Sequence, residues 1–320
     1  MDAIKHVISN ELKIFEKKFA DAMKSDTPLL DSIMKYIIKR KGKQIRPMFV
    51  FLSAKLHGEV NESTYRAAAL VELLHTATLV HDDVVDESTE RRGFLSINAI
   101  WKNKIAVLVG DYLLSRGLLL STSNNDFEQL HILSEAVREM SEGELLQIEK
   151  TRKLNLNEGI YFDIVKKKTA SLLSSACAVG AFSSTQNKEL SAKMKLFGEK
   201  TGIAFQIKDD LLDFGNENIG KPKANDIKEK KMTLPLIYTL NKVEKSTKRK
   251  LIYIIKNENK NPDSVKFVID EVIKCGGLIY ANEKMMEYKN AAIELLHQFP
   301  DNEVRKALEV LVEYTTDRKY

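Results

Sequence analysis

Residues 64–86 read TYRAAALVELLHTATLVHDDVVD. The run Ala67-Ala68-Ala69-Leu70-Val71 is apolar at every position, which describes a helix buried on most sides, not a surface helix with one apolar stripe. Asn61 and Ser63 stand ahead of it as candidate caps. It ends on His81-Asp82-Asp83-Val84-Val85-Asp86. Residues four apart share a helix face, so Asp82 sits over Asp86. The same ending recurs at Lys208-Asp209-Asp210-Leu211-Leu212-Asp213, which stacks Asp209 over Asp213.

Outward from these two stretches the apolar spacing stays helical. Ile4, Ile8, Leu12, Phe15 and Phe19 follow the 3.6-residue period. Pro28 begins a helix that runs to about Lys41, and Gly42 and Pro47 bracket a break, with Pro47 in a first helical turn. Further helices are predicted over Lys104–Ser121, Phe127–Arg152, Glu158–Phe182 in two pieces, Asn187–Phe214, Leu234–Val243, Ser246–Asn257, Asp263–Cys275, Leu278–Gln298 and Glu303–Tyr314. Strand-like alternation is absent, and Gly215–Thr233 is a lysine-rich loop. The expectation is an all-α, single-domain helical bundle over 1–320, with about 12–15 helices around a central cavity.

Composition narrows the function classes. Only 14 Gly and 6 Pro occur in 320 residues, so helix breakers are scarce. A hydrophobic content of 43% allows a large core. The net charge of +5 does not argue for nucleic acid, which calls for a clustered basic face. Cys177 and Cys275 have no zinc-ligand spacing and fit a reducing compartment. The amphipathic N-terminus is no signal peptide, and no stretch reaches the ~18 uncharged apolar residues of a membrane span. A cytoplasmic protein without a transmembrane segment is expected.

Stacked carboxylates repel one another unless a cation lies between them. Mg²⁺ prefers carboxylate oxygen and keeps substrate phosphates in its shell, so two such edges facing one another predict a cage for metal ions that hold a diphosphate. Cations must then meet the remaining anionic oxygens. Candidates are Lys43 and Arg46 in Gly42-Lys43-Gln44-Ile45-Arg46-Pro47, then Arg91 and Arg92, then Lys168-Thr169, with Lys221 and Lys231 in the polar loop.

These elements occur in a fixed order. Gly42-Lys43-x-x-Arg46-Pro47, His75, the first aspartate cluster, Arg91-Arg92-Gly93, Lys168-Thr169-Ala170 and Phe205-Gln206-Ile207-Lys208-Asp209-Asp210-x-x-Asp213 together resemble the trans-isoprenyl diphosphate synthases. The match spans about residues 40 to 235, and His75–Val80 looks most like bacterial long-chain, octaprenyl-type members. The resemblance implies the isoprenoid synthase fold and a prenyltransferase of isoprenoid biosynthesis, a magnesium-dependent polyprenyl synthetase. It implies Asp82, Asp86 and Asp209 as ligands of about three Mg²⁺ per site, with Asp83, Asp210 and Lys168 also in the catalytic set. It places isopentenyl diphosphate on Lys43, Arg46, His75 and Arg92. It places the allylic diphosphate on Arg91, Lys168, Thr169, Gln206, Lys221 and Lys231. A homodimer is implied as well. Lys230 departs from the pattern, since a Gly commonly stands at that position in the family.

Ala77 and Thr78 lie five and four positions before Asp82, about one turn up the helix, and are small where an aromatic ring would act as a floor. That favours a long product, by resemblance about six to eight isoprene units built on farnesyl diphosphate and serving a quinone side chain. The alternatives are a short-chain farnesyl or geranylgeranyl synthase, a class I terpene cyclase, and a non-catalytic synthase subunit. Cyclases usually replace the second aspartate cluster and non-catalytic subunits lose aspartates, whereas this chain keeps both clusters.

Overall fold

The computed structural model describes residues 2–40, 42–91, 93–153, 157–214 and 225–317. Its helices are α1 (Asp2–Ala22), α2 (Pro28–Lys39), α3 (Ile45–His57), α4 (Glu62–Val85), α5 (Ile97–Thr122), α6 (Phe127–Lys153), α7 (Glu158–Val165), α8 (Ser171–Thr185), α9 (Lys188–Asp213), α10 (Asn225–Lys228), α11 (Leu234–Lys242), α12 (Lys245–Tyr253), α13 (Pro262–Lys274), α14 (Gly277–Leu296) and α15 (Glu303–Thr316). Two short π-turns, Lys166–Ala170 and Ile254–Glu258, interrupt the α winding. The all-α expectation therefore holds. The expected absence of strands does not extend to one small hairpin, β1 (Glu90–Arg91) with β2 (Phe94–Leu95), in which Arg91 pairs with Phe94. Two residues per strand are too few to show a period.

The predicted helix from Lys104 begins earlier, at Ile97, but kinks at Lys102, whose φ of 73° lies in the left-handed region. Asn61 caps α4 through a reciprocal pair: its side chain accepts from Thr64 N, and Thr64 Oγ1 accepts from Asn61 N.

The chain divides into two compact units. The first comprises Met1–Val137, Ser175–Lys195 and Phe299–Leu308; the second comprises Arg138–Ser174, Leu196–Gln298 and Glu309–Tyr320. In the first unit Phe15, Phe49, Phe51, Leu52, Leu70 and Leu73 are fully buried. Phe51 packs edge-on to Phe15 with ring centres 5.8 Å apart. A Cβ at Gly117 of α5 would come within 2.9 Å of Leu70 of α4, so the missing side chain lets these helices close together. Among the described helices, α5 is the one long and apolar enough to cross a bilayer, because its composition outweighs Asp111 and Arg116. The second unit has its own core, built on Tyr161, Ile203, Ile207, Leu236, Ile237, Val268, Val272 and Met285.

Candidate active site

In the first unit, helix geometry divides the labour among the first three acids. Asp82 is half-buried and Asp86 is exposed at the C-terminal end of α4. Asp83, one step round the helix, turns inward and is only 4% exposed. The chain beyond α4 is tied back to this point. Ser88 N donates to Asp83 O at 3.0 Å. The Asn98 amide donates to Asp83 O and Ser88 O at 3.0 and 3.1 Å, and Ser96 Oγ donates to Ser88 O at 2.7 Å. These bonds root the β1–β2 hairpin. Tyr36 OH donates to Leu95 O at 2.5 Å, and the Arg40 guanidinium lies between the rings of Tyr36 (3.5 Å) and Phe94 (4.3 Å). Arg92 and the side chain of Arg91 lie outside the described residues.

Gln44, at φ 53°, turns the chain into α3 and brings Arg46 onto His75 of α4. Arg46 Nη1 and His75 Nε2 are 2.8 Å apart. A guanidinium only donates, so Nε2 accepts and the imidazole proton sits on Nδ1. His75 is 8% exposed while Lys43 is exposed. A cavity of about 120 Å³ opens at His75, lined also by Gly42, Glu72, Thr76, Leu79 and Asp83 among others, but not by Lys43 or Arg46. Ala77 is fully buried and Thr78 donates to His75 O at 2.9 Å; neither lines this cavity.

The second unit repeats the division. Asp209 and Asp213 are half-buried and Asp210 is 4% exposed. Asp210 accepts from Tyr161 OH at 2.7 Å and from the Gln206 amide at 3.0 Å, with Leu234 N at 3.4 Å. Burial pushes its carboxyl up to about 6, against the lowering effect of those donors. Thr169 Oγ1 donates to Gln206 Oε1 at 2.8 Å, so Thr169, Gln206 and Asp210 form one chain of hydrogen bonds. Lys168 pairs with Glu144, and its Nζ lies 3.4 Å from Gln147 Oε1.

Lys168 and Thr169 sit in the π-turn that joins α7 to α8. Two glycines admit it. A Cβ at Gly143 of α6 would stand 2.8 Å from Lys168 N, and one at Gly202 of α9 would stand 2.6 Å from Ala170 Cα. The backbone of each helix is thus pressed against the turn, and π-turns of this kind recur at functional sites. A cavity of about 210 Å³ is lined by Tyr161, Lys168, Thr169, Gln206, Asp210, Asp226 and Lys231, together with Gln147 and Thr233. The structure therefore gathers Lys168, Thr169, Gln206, Asp210 and Lys231 on one cavity wall. Lys221 lies outside the described residues.

Sequence reasoning missed Tyr161, Asn98 and Asp226. Asp226 points into the cavity from α10, and burial, then the charges of Asp213 and Asp210, raise its carboxyl to about 7. Its one signal is an acid set among lysines. Tyr161 has a weaker signal, a polar tip between Ile160 and Phe162. Asn98 has none. The residue before Lys231 explains the departure from the family pattern: Lys230 has φ 60°, a conformation that favours glycine.

Comparison with known proteins agrees with this layout. A family model described as polyprenyl synthetase matches residues 27–272. Octaprenyl diphosphate synthase of Escherichia coli (strain K12) is 32% identical over 310 residues, 96% of each chain. Geranylgeranyl diphosphate synthase of Saccharolobus solfataricus is 32% identical over 308 residues, 93% of this chain and 92% of that one. The crystal structure of a polyprenyl synthase from Caulobacter crescentus CB15, complexed with calcium and isoprenyl diphosphate, superposes with a TM-score of 0.92 at 32% identity, covering 100% of this chain and 98% of that one. With paired aspartate motifs, a helical fold and matches of this extent, the chain belongs to the polyprenyl synthetase family of prenyltransferases.

Proposed function

We propose that the protein is a long-chain trans-polyprenyl diphosphate synthase that condenses isopentenyl diphosphate 1′–4 onto an allylic diphosphate, farnesyl diphosphate being the primer. The observation that carries this reading is the shared division of labour in the two aspartate motifs. In each, the second acid is buried and the first and last are accessible to some degree. A merely solvated acidic face would leave all three in water.

We assign Asp82, Asp86 and Asp209 to Mg²⁺, about three ions by family resemblance. The donor set fits a hard cation: carboxylates that remain at least partly accessible, at the C-terminal ends of α4 and α9, each beside a buried acid that lines a cavity. When bound, magnesium neutralises the charge of a departing diphosphate. Lys43, Arg46 and His75, with Arg92, bind isopentenyl diphosphate; the guanidinium–imidazole contact orients the Arg46 fork, whose planar donors match phosphate oxygens. Lys168, Thr169, Gln206 and Lys231, with Arg91 and Lys221, bind the allylic diphosphate. Asp83 and Asp210, both buried, complete the proposed catalytic set with Lys168. The allylic C1–O bond breaks, the alkene of isopentenyl diphosphate attacks C1, and the proton lost from the new chain passes to the departing diphosphate. No protein nucleophile takes part.

The small Ala77 and Thr78 support a product of about six to eight isoprene units. The equal identity to a geranylgeranyl synthase favours a second reading, a short-chain product. We further propose a homodimer in the cytoplasm. A stripe on α5 leaves Val107, Leu108, Leu118 and Leu119 between 41% and 56% exposed, which supports a second copy of the chain over this face. The lipid product then passes to the membrane for use in a quinone side chain.

The test is purified protein with Mg²⁺, radiolabelled isopentenyl diphosphate and farnesyl diphosphate, with chain length read by chromatography. Elongation past twenty carbons supports the long-chain reading; a product that stops there establishes the second. Asp82→Ala and Asp209→Ala lower turnover by at least ~10²-fold with helical content unchanged. Near-normal activity in either removes the metal assignment.

A further inference from the structure

The third acid of the second motif has an occupation of its own. Asp213 Oδ1 accepts from Asn225 N at 2.9 Å and Asp213 Oδ2 accepts from Asp226 N at 3.0 Å. Both carboxylate oxygens thus meet the first backbone N–H groups of α10, which have no partner within that helix. The segment from Asn225 to Lys231 is one folded piece. Glu229 N donates to Asn225 O at 2.8 Å, Lys230 N to Ile227 O at 3.0 Å and Lys231 N to Asp226 O at 2.7 Å. Ile227 is 1% exposed and anchors this piece in the core of the second unit. Two of its side chains, Asp226 and Lys231, line the cavity with Lys168, Thr169, Gln206 and Asp210. The Lys231 ammonium stands 2.5 Å from Glu229 Oε2 and 4.0 Å from Asp226 Oδ1.

We propose that Asp213 is a positioning residue. Its carboxylate caps α10 and thereby sets Asp226 and Lys231 against the allylic diphosphate, and its effect on the reaction runs through that cap and not through a metal ion. The proposal rests on the assignment of this cavity to the allylic diphosphate. It separates Asp213 from Asp209, one turn earlier on α9, although the motif writes the two alike. A charged acceptor on two backbone N–H groups is a strong local tie. Asparagine keeps one of the two acceptor oxygens and turns a donor toward the other N–H, so it retains part of the cap, and it is a poor ligand for a hard cation.

The test compares Asp213→Ala, Asp213→Asn and Asp213→Ser in the full chain. Amide hydrogen exchange of the 225–231 segment, without substrate or metal, reads the cap directly. Exchange is faster by at least ~10-fold in Asp213→Ala and intermediate between alanine and the parent in Asp213→Asn. Steady-state kinetics then show the KM for the allylic diphosphate raised ~10-fold or more in Asp213→Ala and partly restored in Asp213→Asn. The KM for isopentenyl diphosphate and the Mg²⁺ concentration at half-activity stay within about twofold of the parent in both variants. Asp213→Ser, whose hydroxyl likewise offers one acceptor atom, behaves like Asp213→Asn and serves if the alanine variant does not fold. Unchanged exchange in Asp213→Ala overturns the cap. An asparagine variant as impaired as alanine, with a raised Mg²⁺ requirement, overturns it in favour of a metal ligand. A parent protein with no prenyl elongation sinks the functional reading while leaving the exchange result to judge the cap.

Discussion

Replacing Gly202 by Ala would place a methyl carbon 2.6 Å from Ala170 Cα and 2.8 Å from its Cβ. Ordinary carbon contacts lie at about 3.5–4.0 Å, so α9 and the π-turn must part by about 1 Å. The obstacle is main chain on a fully buried residue, and no flexible side chain can swing aside. Overpacking of this kind costs about 1–3 kcal/mol. Alanine returns about 1 kcal/mol in helix propensity. The net loss is then at most about 2 kcal/mol, a fall in Tm of up to roughly 3 °C for a chain of this size. The kinetic effect should be larger than the thermal one. A displacement of ~1 Å at Lys168 and Thr169 predicts a ~10- to 100-fold loss in kcat/KM for the allylic substrate, while the KM for isopentenyl diphosphate is little changed. Differential scanning calorimetry and steady-state kinetics with each substrate varied in turn make the check. Parent-like kinetics would refute the claim that this close approach sets the lysine, and so would equal damage to both KM values.

Two further outcomes rest on the same geometry. Asp226 has a carboxyl raised to about 7 from an unfolded value of 3.8, chiefly by burial, and its side chain is 23% exposed. A raised carboxyl means that the folded state holds the proton more tightly. Its contribution is therefore complete below pH ~4 and is lost as pH rises through ~7, a difference of roughly 4 kcal/mol for about three units. Thermal melts of the metal-free protein should fall between pH 5 and pH 8, and Asp226→Asn should flatten that fall; the same slope in both proteins counts against it. Lys230 occupies a left-handed conformation that costs a side-chain residue about 1–2 kcal/mol. Lys230→Gly should gain about 0.5–1 kcal/mol after glycine's greater unfolded-state entropy is allowed for, measured by urea denaturation. A loss of stability would show that the contact from Lys230 Nζ to Lys256 O outweighs the strain.

The helices were legible because their periods are long. The run 64–86 announces α4, its cap at Asn61 and its acidic end. Pro28 and Pro47 mark helix starts that the structure keeps. The candidate cations and acids were legible by residue type and order. Their division into buried and accessible members was not, because Asp82 and Asp83 differ by one helical step and the sense of that step depends on neighbours far away in sequence. The β1–β2 hairpin escaped because four residues hold no period. Asp226 escaped because its significance comes from Asp213 and Asp210, which only the folded chain brings to it. The doubt over Lys230 had a backbone cause, a positive φ that side-chain chemistry does not reveal.

The π-turn over Lys166–Ala170 gives a threefold repeat three different addresses. Lys166 goes to Glu199, Lys167 to Glu142 and Asp163, and Lys168 to Glu144. A ring closed by one residue more than an α-turn makes this possible. Removing any one of those five residues would therefore do more than shorten the chain. It would restore ordinary winding and turn α7 by about 100° relative to α8, rather more than a quarter turn, so its buried face no longer points at the core. A lineage that kept every lysine but lost that extra residue would have the right letters aimed in the wrong direction.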